Sequence, residues 1–219
     1  MEQKSTGSPP IELLNAPGFR YLTLHDVSND GRFVVCRRGT DDVLVFDREQ
    51  EASESNPFAF VHASASDFGA AFSPDGRWLA YVSYETGLDH VYVRNFPDGD
   101  LKQIVSQGRG VCPMWSPDGR EIFYQREGVR DAESGMWEFG STMMAVPVET
   151  TPKLRLGEPR QLVKGPFWSW CDGGAGSYDV STDGSRFLMV GPEDDPFSTR
   201  ELMVVLNWFE ELKRLVPTE

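Results

Sequence analysis

The side chains that could do chemistry stand far apart in this sequence. It contains three histidines, His25, His62 and His90. It also contains three cysteines, Cys36, Cys112 and Cys171. An isolated histidine is more often a hydrogen-bonded structural residue than a ligand or a base. An odd number of distant cysteines with no C-x-x-C spacing predicts neither a disulfide framework nor a metal motif. We therefore expect structural histidines and reduced thiols.

No familiar catalytic spacing occurs. The sequence lacks G-x-S-x-G, H-E-x-x-H and G-x-x-x-x-G-K-[ST]. Glycine-rich residues 173–176 lead into a hairpin signal instead of a helix, so they do not predict a phosphate loop. Acidic residues 193–195 lie between Pro192 and Pro196, which favours an exposed turn over a cation site. The sequence predicts no catalytic residue, no metal and no cofactor.

Four segments share an apolar residue, Ser, any residue, Asp, Gly and then a strand-like run. Their Asp-Gly pairs are Asp30-Gly31, Asp75-Gly76, Asp118-Gly119 and Asp183-Gly184. The first three aspartates are 45 and 43 residues apart, which is the length of one four-stranded propeller blade. The fourth follows after 65 residues, so one blade carries an insertion.

The residue types of the repeat favour a hairpin corner. In Ser-Pro-Asp-Gly, Pro presets φ, Asp accepts hydrogen bonds from local amides, and Gly adopts positive φ. Residues 43–46, 91–93, 143–146 and 202–206 are predicted third strands, and residues 103–105 and 160–163 are predicted outer strands. Asp42 is expected in a loop. A blade cannot bury both faces alone, so neighbouring blades must stack.

The segments FSPDGRWLAYVS (residues 72–83) and WSPDGREIFY (residues 115–124) resemble the TolB-like propeller repeat. The first and last repeats depart from it, because Asn29 and Thr182 replace Pro. The resemblance covers residues 18–206. It implies an all-β propeller of about four antiparallel four-stranded blades, as a closed small ring or as part of a larger ring.

The two ends are predicted to be separate segments, residues 1–17 and 207–219. Residues 206–217, LNWFEELKRLVP, resemble the C-terminus of TolB-like propellers attached to bacterial Ser/Thr kinases. A short helix is expected over residues 208–215, with Asn207 as its N-cap. Residues 11–14 would supply the missing outer strand of the last blade. We expect a closed monomer, and a homodimer of two four-blade arcs is the alternative.

Two loops are candidate binding regions, because recognition tends to lie on loops of a rigid scaffold. They contain the candidate contacts Trp137, Trp168, Trp170 and Asp172. The alternative is that the tryptophans pack beneath their loop.

The chain carries 34 acidic and 21 basic side chains, a net charge of −13. This charge disfavours nucleic acid and anionic lipid as partners. No signal-like stretch or eighteen-residue apolar run occurs, so a cytoplasmic location is expected, or a periplasmic one if a longer tethered parent exists. The resemblance implies a non-enzymatic protein- or peptide-binding scaffold. A propeller-based hydrolase, or the accessory propeller of a peptidase, is the alternative.

Overall fold

The computed structural model describes residues 22–39, 42–50, 57–62, 66–127, 141–169 and 177–191, and the backbone of residues 202–205. These residues form sixteen β-strands and, within those ranges, no helix. The all-β class is thereby confirmed. The predicted C-terminal helix, the closing strand at residues 11–14 and the terminal segments 1–17 and 207–219 fall on residues outside the described ranges.

The strands form four antiparallel sheets, each a blade. Blade 1 comprises β1 (Leu22–Val27), β2 (Phe33–Arg38), β3 (Asp42–Asp47) and β4 (Phe58–His62). Blade 2 comprises β5 (Asp67–Phe72), β6 (Trp78–Ser83), β7 (His90–Asn95) and β8 (Lys102–Ile104). Blade 3 comprises β9 (Val111–Trp115), β10 (Glu121–Glu127), β11 (Ser141–Glu149), β12 (Arg155–Leu156) and β13 (Arg160–Gly165). Blade 4 comprises β14 (Tyr178–Val180), β15 (Phe187–Val190) and β16 (Leu202–Val205).

Strands pair in chain order within blades 1, 2 and 4, whereas in blade 3 strand β11 pairs with β10 and with both β12 and β13. The predicted third strands correspond to β3, β7, β11 and β16, and the predicted outer strands correspond to β8 and β13. Outer strand β4 and the short β12 were not predicted from the sequence. The sixty-odd residues between the last two corners hold the longest strand, the nine-residue β11, and the extra strand β12.

Adjacent blades stack because each second strand alternates its side chains between the two blade faces. In β6, Leu79 and Tyr81 pack with Val35 of blade 1. Ala80 and Val82, on the opposite face, pack in the cluster shared with blade 3. Apolar side chains thus fill the spaces between consecutive blades, and burying them drives the stacking.

The innermost strands of blades 2 and 3 also pack across the preceding blade. Strand β5 lies against β1, β2 and β3, and strand β9 lies against β5, β6 and β7. Strands β1, β5 and β9 each pair irregularly with the second strand of their own blade, at a β-bulge. A bulge bends a strand and re-aims its side chains.

Asp42 differs from the expectation of a loop residue. It is the first residue of β3, it is buried, and its carboxylate accepts a hydrogen bond from the Arg38 guanidinium. These two residues are also paired across the β2–β3 ladder. The strand therefore includes a charge that its ion partner compensates.

Candidate functional site

The four Asp-Gly pairs occupy equivalent corners between the first and second strands of their blades. Their glycines all have left-handed φ angles: Gly31 +72°, Gly76 +68°, Gly119 +70° and Gly184 +72°. In the third corner, Ser116 Oγ donates to Asp118 Oδ1 at 2.7 Å, and the same oxygen accepts from the Arg120 backbone N–H at 3.1 Å. The other three corners contain the same two bonds.

These bonds stabilise the charged form of the corner carboxylates. The serine hydroxyl, followed by the backbone amide, lowers the pKa of Asp30, Asp118 and Asp183. The carboxylates therefore act within their own turns. They are spread over four blades and form no common ligand set.

A cleft of about 410 Å³ lies at the corner end of the inner strands. Its described walls are residues 25–29 of blade 1, 69–74 of blade 2, 112–117 of blade 3, and Tyr178 of blade 4, with small gaps. Among these residues Asp26 is the only carboxylate, and none is Lys or Arg. Several of the lining residues are apolar, among them Val27, Phe72 and Met114. The cleft therefore favours a ligand that is largely apolar and that carries either no charge or a positive charge.

His25 and Asp26 connect blade 1 to blade 2 at this cleft. The Ala70 backbone N–H donates to His25 Nδ1 at 3.2 Å, and the Phe72 N–H donates to Asp26 Oδ2 at 2.8 Å. Asp26 Oδ1 accepts from the Val27 N–H at 2.8 Å. Burial raises the pKa of Asp26, and the two amide bonds oppose that shift without cancelling it.

Blade 3 contributes a strained residue to the same cleft. Cys112 has φ +54°, a left-handed conformation that side chains rarely adopt. Gly69 is at the equivalent place in β5 and has φ +60°. The Cys112 carbonyl accepts from the Tyr178 hydroxyl at 2.7 Å, which ties blade 3 to blade 4. Such strain costs about 1 to 3 kcal/mol and is frequent at functional sites.

The indole of Trp115 also borders the cleft. Its ring is buried, and its Nε1 has no hydrogen-bond acceptor within the described part of the chain. A buried donor without an acceptor is uncommon. Trp115 therefore keeps an unsatisfied donor in the core beside the cleft.

Of the four candidate contacts taken from the sequence, only Trp168 falls within the described residues. It lies away from the cleft, where its backbone N–H donates to Val190 O at 2.9 Å. Its carbonyl accepts from Gln125 Nε2 at 2.8 Å. Trp137, Trp170 and Asp172 are outside the described ranges, so the shared binding role of the four residues stays a prediction.

The position of Trp168 depends on Gln125, a residue that the sequence analysis did not identify as a candidate. Gln125 is fully buried, and its Nε2 also donates to Ser141 Oγ at 2.9 Å. Its Oε1 accepts from Ser177 Oγ at 2.6 Å. This saturated amide joins β10, β11 and the entry to blade 4.

Metal binding and membrane insertion find no support in the described residues. No group of three or more His, Cys, Asp and Glu side chains among them could hold a metal ion. None of their secondary structure is a helix long and apolar enough to cross a membrane.

Antiparallel blades stacked through alternating faces, with inner strands around a common cleft, define a β-propeller. No family model matches the chain. The TolB homologue of Chlorobaculum tepidum is 28% identical over 85 residues, which cover 39% of this chain and 19% of that protein. The Tol-Pal system protein TolB of Desulfosudis oleivorans is 31% identical over 62 residues, which cover 28% of this chain and 14% of that protein. The matches therefore span only a small part of these relatives.

Solved structures of TolB and of a peptidase share the fold of this chain. A TolB from Agrobacterium tumefaciens has a TM-score of 0.60 at 16% identity, covering 87% of this chain and 63% of that one. A puromycin-hydrolyzing peptidase of Mycobacterium tuberculosis has a TM-score of 0.57 at 16% identity, covering 86% of this chain and 30% of that one. The chain has the fold of a TolB-like β-propeller, as its repeat predicted. The link to bacterial kinases remains a prediction.

Proposed function

We propose that the chain is a protein- or peptide-binding propeller without catalysis of its own, and that a peptide segment binds in the cleft. The observation that carries the proposal is the cleft itself. It is bordered by inner strands of four blades, and its walls combine apolar surface with a few polar atoms. Concave sites of this kind, placed on a rigid scaffold, are typical binding sites.

The chemistry of the walls indicates the class of peptide. Phe72, Met114 and Trp115 provide apolar surface. Asp26 provides the acidic group. An apolar segment with a Lys, an Arg or a free amino terminus fits this set best. A net charge of −13 acts in the same direction, because it attracts basic partners.

The described residues do not support a catalytic constellation in the cleft. His25 Nδ1 is occupied by the Ala70 amide, and Asp26 is occupied by two amides. Both side chains therefore serve to join blades. A general base must reach the proton that it abstracts, and the described bonds of both groups are to backbone amides.

The relatives' names support a protein partner. Several curated relatives are Tol-Pal system proteins TolB, which is consistent with a role in a protein assembly. A sensor role in a larger bacterial signalling protein belongs to the same proposal, since the C-terminal residues resemble those of kinase-linked propellers.

A second candidate is the accessory propeller of a peptidase. The Bacillus subtilis peptidase YuxL is 30% identical over 74 residues, which cover 33% of this chain and 11% of that protein. The mycobacterial peptidase structure also contains this fold. In that case the cleft would admit a peptide to a catalytic domain.

Selection from a phage-displayed peptide library tests the proposal. We expect enrichment of peptides that combine apolar residues with Lys or Arg, and we expect a labelled synthetic copy to bind the purified chain. Met114→Lys, which places a positive charge on the cleft wall, should weaken this binding at least tenfold, because it repels a basic peptide. The matched control is Leu101→Lys, an exposed site in blade 2 outside the cleft.

Two results would contradict the proposal. One is a selected peptide whose affinity is unchanged by Met114→Lys. The other is the absence of any enriched peptide class from repeated selections. Cleavage of the bound peptide by the purified chain, followed by mass spectrometry, would replace the binding function with an enzymatic one.

A further inference from the structure

A carboxyl group is buried without a hydrogen bond where blade 2 meets blade 1. Asp67 is the first residue of β5 and is fully buried. Neither of its carboxyl oxygens has a hydrogen-bond partner in the described part of the chain. A buried polar group without a partner is uncommon in folded proteins, and a buried charge without one is more costly still. The protonation state of Asp67 therefore matters to this interface.

Asp67 lies on the face of blade 2 that packs against blade 1. It is opposite Ser83 in the β5–β6 ladder, and Tyr81 lies two residues before Ser83 on the same face of β6. Tyr81 packs with Val35 of blade 1, which identifies that face. The Tyr81 hydroxyl is also buried without a hydrogen-bond partner among the described residues, and the Ser83 hydroxyl does not complete a hydrogen bond to Asp67.

The charged side chains around Asp67 have partners of their own. In blade 2, Lys102 forms an ion pair with Glu85, and in blade 1, Arg38 forms an ion pair with Asp42.

Arg37 of β2 also reaches this end of β5. Its Nη2 donates to Ser66 Oγ at 2.9 Å, and its guanidinium lies over the ring of Phe68. These contacts are with the residues on either side of Asp67 and not with its carboxyl. The other ionisable side chains of the strands packed against β5 lie at the corner end or on another face: His25, Asp26, Cys36, Asp47 and Cys112.

The two ends of β5 are attached to blade 1 in different ways. At the corner end, the Phe72 N–H donates to Asp26 and the Ala70 N–H donates to His25. At the opposite end, the carboxyl of Asp67 makes no hydrogen bond to a described residue of blade 1. The corner end is thus held by two hydrogen bonds, and a change in hydration at Asp67 would separate the opposite end first.

Solvent-exposed surface begins one residue beyond the pair of Asp67 and Ser83. The next residues outward are Ser66 and Tyr84, and the Tyr84 N–H donates to Ser66 O at 3.1 Å. Tyr84 is 49% exposed. Local opening at the end of a ladder costs less than global unfolding. Breaking this bond would let water approach the Asp67 carboxyl.

The interface between blades 2 and 3 has no carboxyl at the equivalent position. Gly110 occupies it, because both Gly110 and Asp67 precede their corner aspartates by eight residues. A Cβ atom at Gly110 would meet Ser106 Cβ at 2.6 Å and Tyr124 Cδ2 at 2.9 Å. Tyr124, the equivalent of Tyr81, thus fills that space. An acid is therefore not a requirement of blade stacking, and its presence distinguishes the interface between blades 1 and 2.

We propose that the end of the interface between blades 1 and 2 that lies opposite the corners is a proton-controlled joint, closed while Asp67 carries its proton and opened to water when Asp67 ionises. A neutral carboxyl is tolerated in this site far better than a carboxylate, for which hydration is the available compensation. Burial raises the pKa of Asp67, and the charges of Glu85 and Asp42 raise it further. The Ser83 hydroxyl and the Lys102 ammonium oppose this shift without cancelling it.

Urea denaturation of the ligand-free chain at several pH values tests the proposal. Because the folded pKa of Asp67 is raised, its contribution to stability is fully present below the unfolded pKa of about 4 and is lost as the pH rises through the folded value. Asp67→Asn cannot ionise. The stability of this variant relative to the wild type should therefore increase with pH, by at least about threefold in the unfolding constant between pH 4 and pH 8.

The matched control is Asp98→Asn, an exposed residue between β7 and β8. It should follow the wild type at every pH. Asp26 and the corner carboxylates are present in all three proteins, so their own titrations cancel in the comparison.

Hydrogen exchange of single amides, followed by NMR, locates the opening. After correction for the intrinsic exchange rate, the protection of the Tyr84 amide should fall at least about threefold in the wild type between pH 5 and pH 8. It should stay constant in Asp67→Asn. The matched amide is that of Ser73, which donates to Trp78 O at 2.9 Å at the corner end of the same two strands. Its protection should not change in either protein.

The carboxyl carbon of Asp67 can be followed by NMR in the wild type, so this measurement does not depend on the folding of a variant. We expect its titration to coincide with the loss of protection at Tyr84. An ordinary titration near pH 4, or a titration without a change at Tyr84, would overturn the proposal. Equal pH dependence of the wild type and Asp67→Asn, or an equal loss of protection at Ser73, would also overturn it. All these measurements omit peptide, so their failure would leave the proposed binding function unaffected.

Discussion

The four blades have the same key residues at their corners but different residues at the positions that line the cleft. Each corner has a serine, an aspartate and a left-handed glycine with the same hydrogen bonds. The two residues before the apolar residue of each corner differ between blades, apart from the aspartate shared by blades 1 and 4: His25-Asp26, Ala70-Ala71, Pro113-Met114 and Tyr178-Asp179. Each corner forms the same local turn, so its residues recur in all four blades. The cleft positions face a shared space, and the blades contribute different side chains to it.

This difference separates positions that hold the scaffold from positions that are open to ligand. Substitutions in blade interfaces and corners should change the free energy of unfolding. Substitutions on the cleft wall should mainly change binding. The following predictions test that division, beginning with the largest expected effect.

Phe187→Ala should have the largest effect on stability. The side chain is buried between blades 3 and 4 and packs against Phe123. Its removal should lower the free energy of unfolding by about 3 to 5 kcal/mol, measured by urea denaturation. Leu101→Ala, at an exposed position, should change it by less than about 0.5 kcal/mol. Equal losses for the two variants would place Phe187 outside the core.

Gly119→Val should come next. Gly119 has φ +70°, and a β-branched residue is strained there by about 1 to 3 kcal/mol. Gly119→Asn is the matched variant, because Asn tolerates the left-handed region better. It should lose less than half as much stability. If Asn and Val cost the same, side-chain volume and not backbone geometry would limit this corner.

Asp26→Ala should cost about 1 to 3 kcal/mol, because the Phe72 amide would lose its acceptor. The equivalent change in blade 4, Asp179→Ala, should cost almost nothing, because the Asp179 side chain is exposed and accepts its described bond from the amide of the next residue. Thermal denaturation of the paired variants measures the difference. A similar loss at both sites would show that the inter-blade bond contributes little.

The corner carboxylates should make the fold sensitive to acid. Their folded pKa is lowered, so the stability that they contribute is present above the unfolded pKa of about 4. It is lost as the pH falls through their lower folded values. Asp118→Asn should flatten the acid side of a plot of melting temperature against pH. An unchanged slope would mean that the Ser116 bond does not depend on the charge.

Thr182→Pro should have the smallest effect, and it should be stabilising. Pro74 and Pro117 occupy the equivalent position of two other corners. A compatible proline raises stability by about 0.4 to 1 kcal/mol, because it restricts the unfolded chain. Ser185→Pro, in the same turn, should instead destabilise, since it removes the N–H that Asp183 accepts. A destabilising Thr182→Pro would show that the fourth corner is not equivalent to the others.

The features that could be predicted from the sequence, the corners and the blade spacing, are determined by interactions between residues close in sequence. Ser, Pro, Asp and Gly specify a turn by their own φ preferences and short-range hydrogen bonds, so the corners and the blade spacing follow from their order. Asp26 and Cys112 could not be recognised in the same way. Their positions depend on which inner strands meet and where those strands bulge, and this is long-range information.

Other differences have the same origin. Trp168 was selected for its aromatic character, but its environment is set by the buried amide of Gln125, which binds across blades. Asp42 was assigned to a loop for its charge, whereas its ion pair with Arg38 allows it to begin a strand. A comparison of equivalent positions between repeats was the one sequence signal that could have located the cleft.

The burial of Asp26 has a consequence for the thermodynamics of recognition. Because its pKa is raised, a cationic ligand group that pairs with the carboxylate would favour the charged form and displace any proton from it. In mildly acidic solution, binding would therefore release protons to the buffer, and the observed enthalpy would vary with the ionisation heat of that buffer. Titration calorimetry in two buffers at one pH would count those protons.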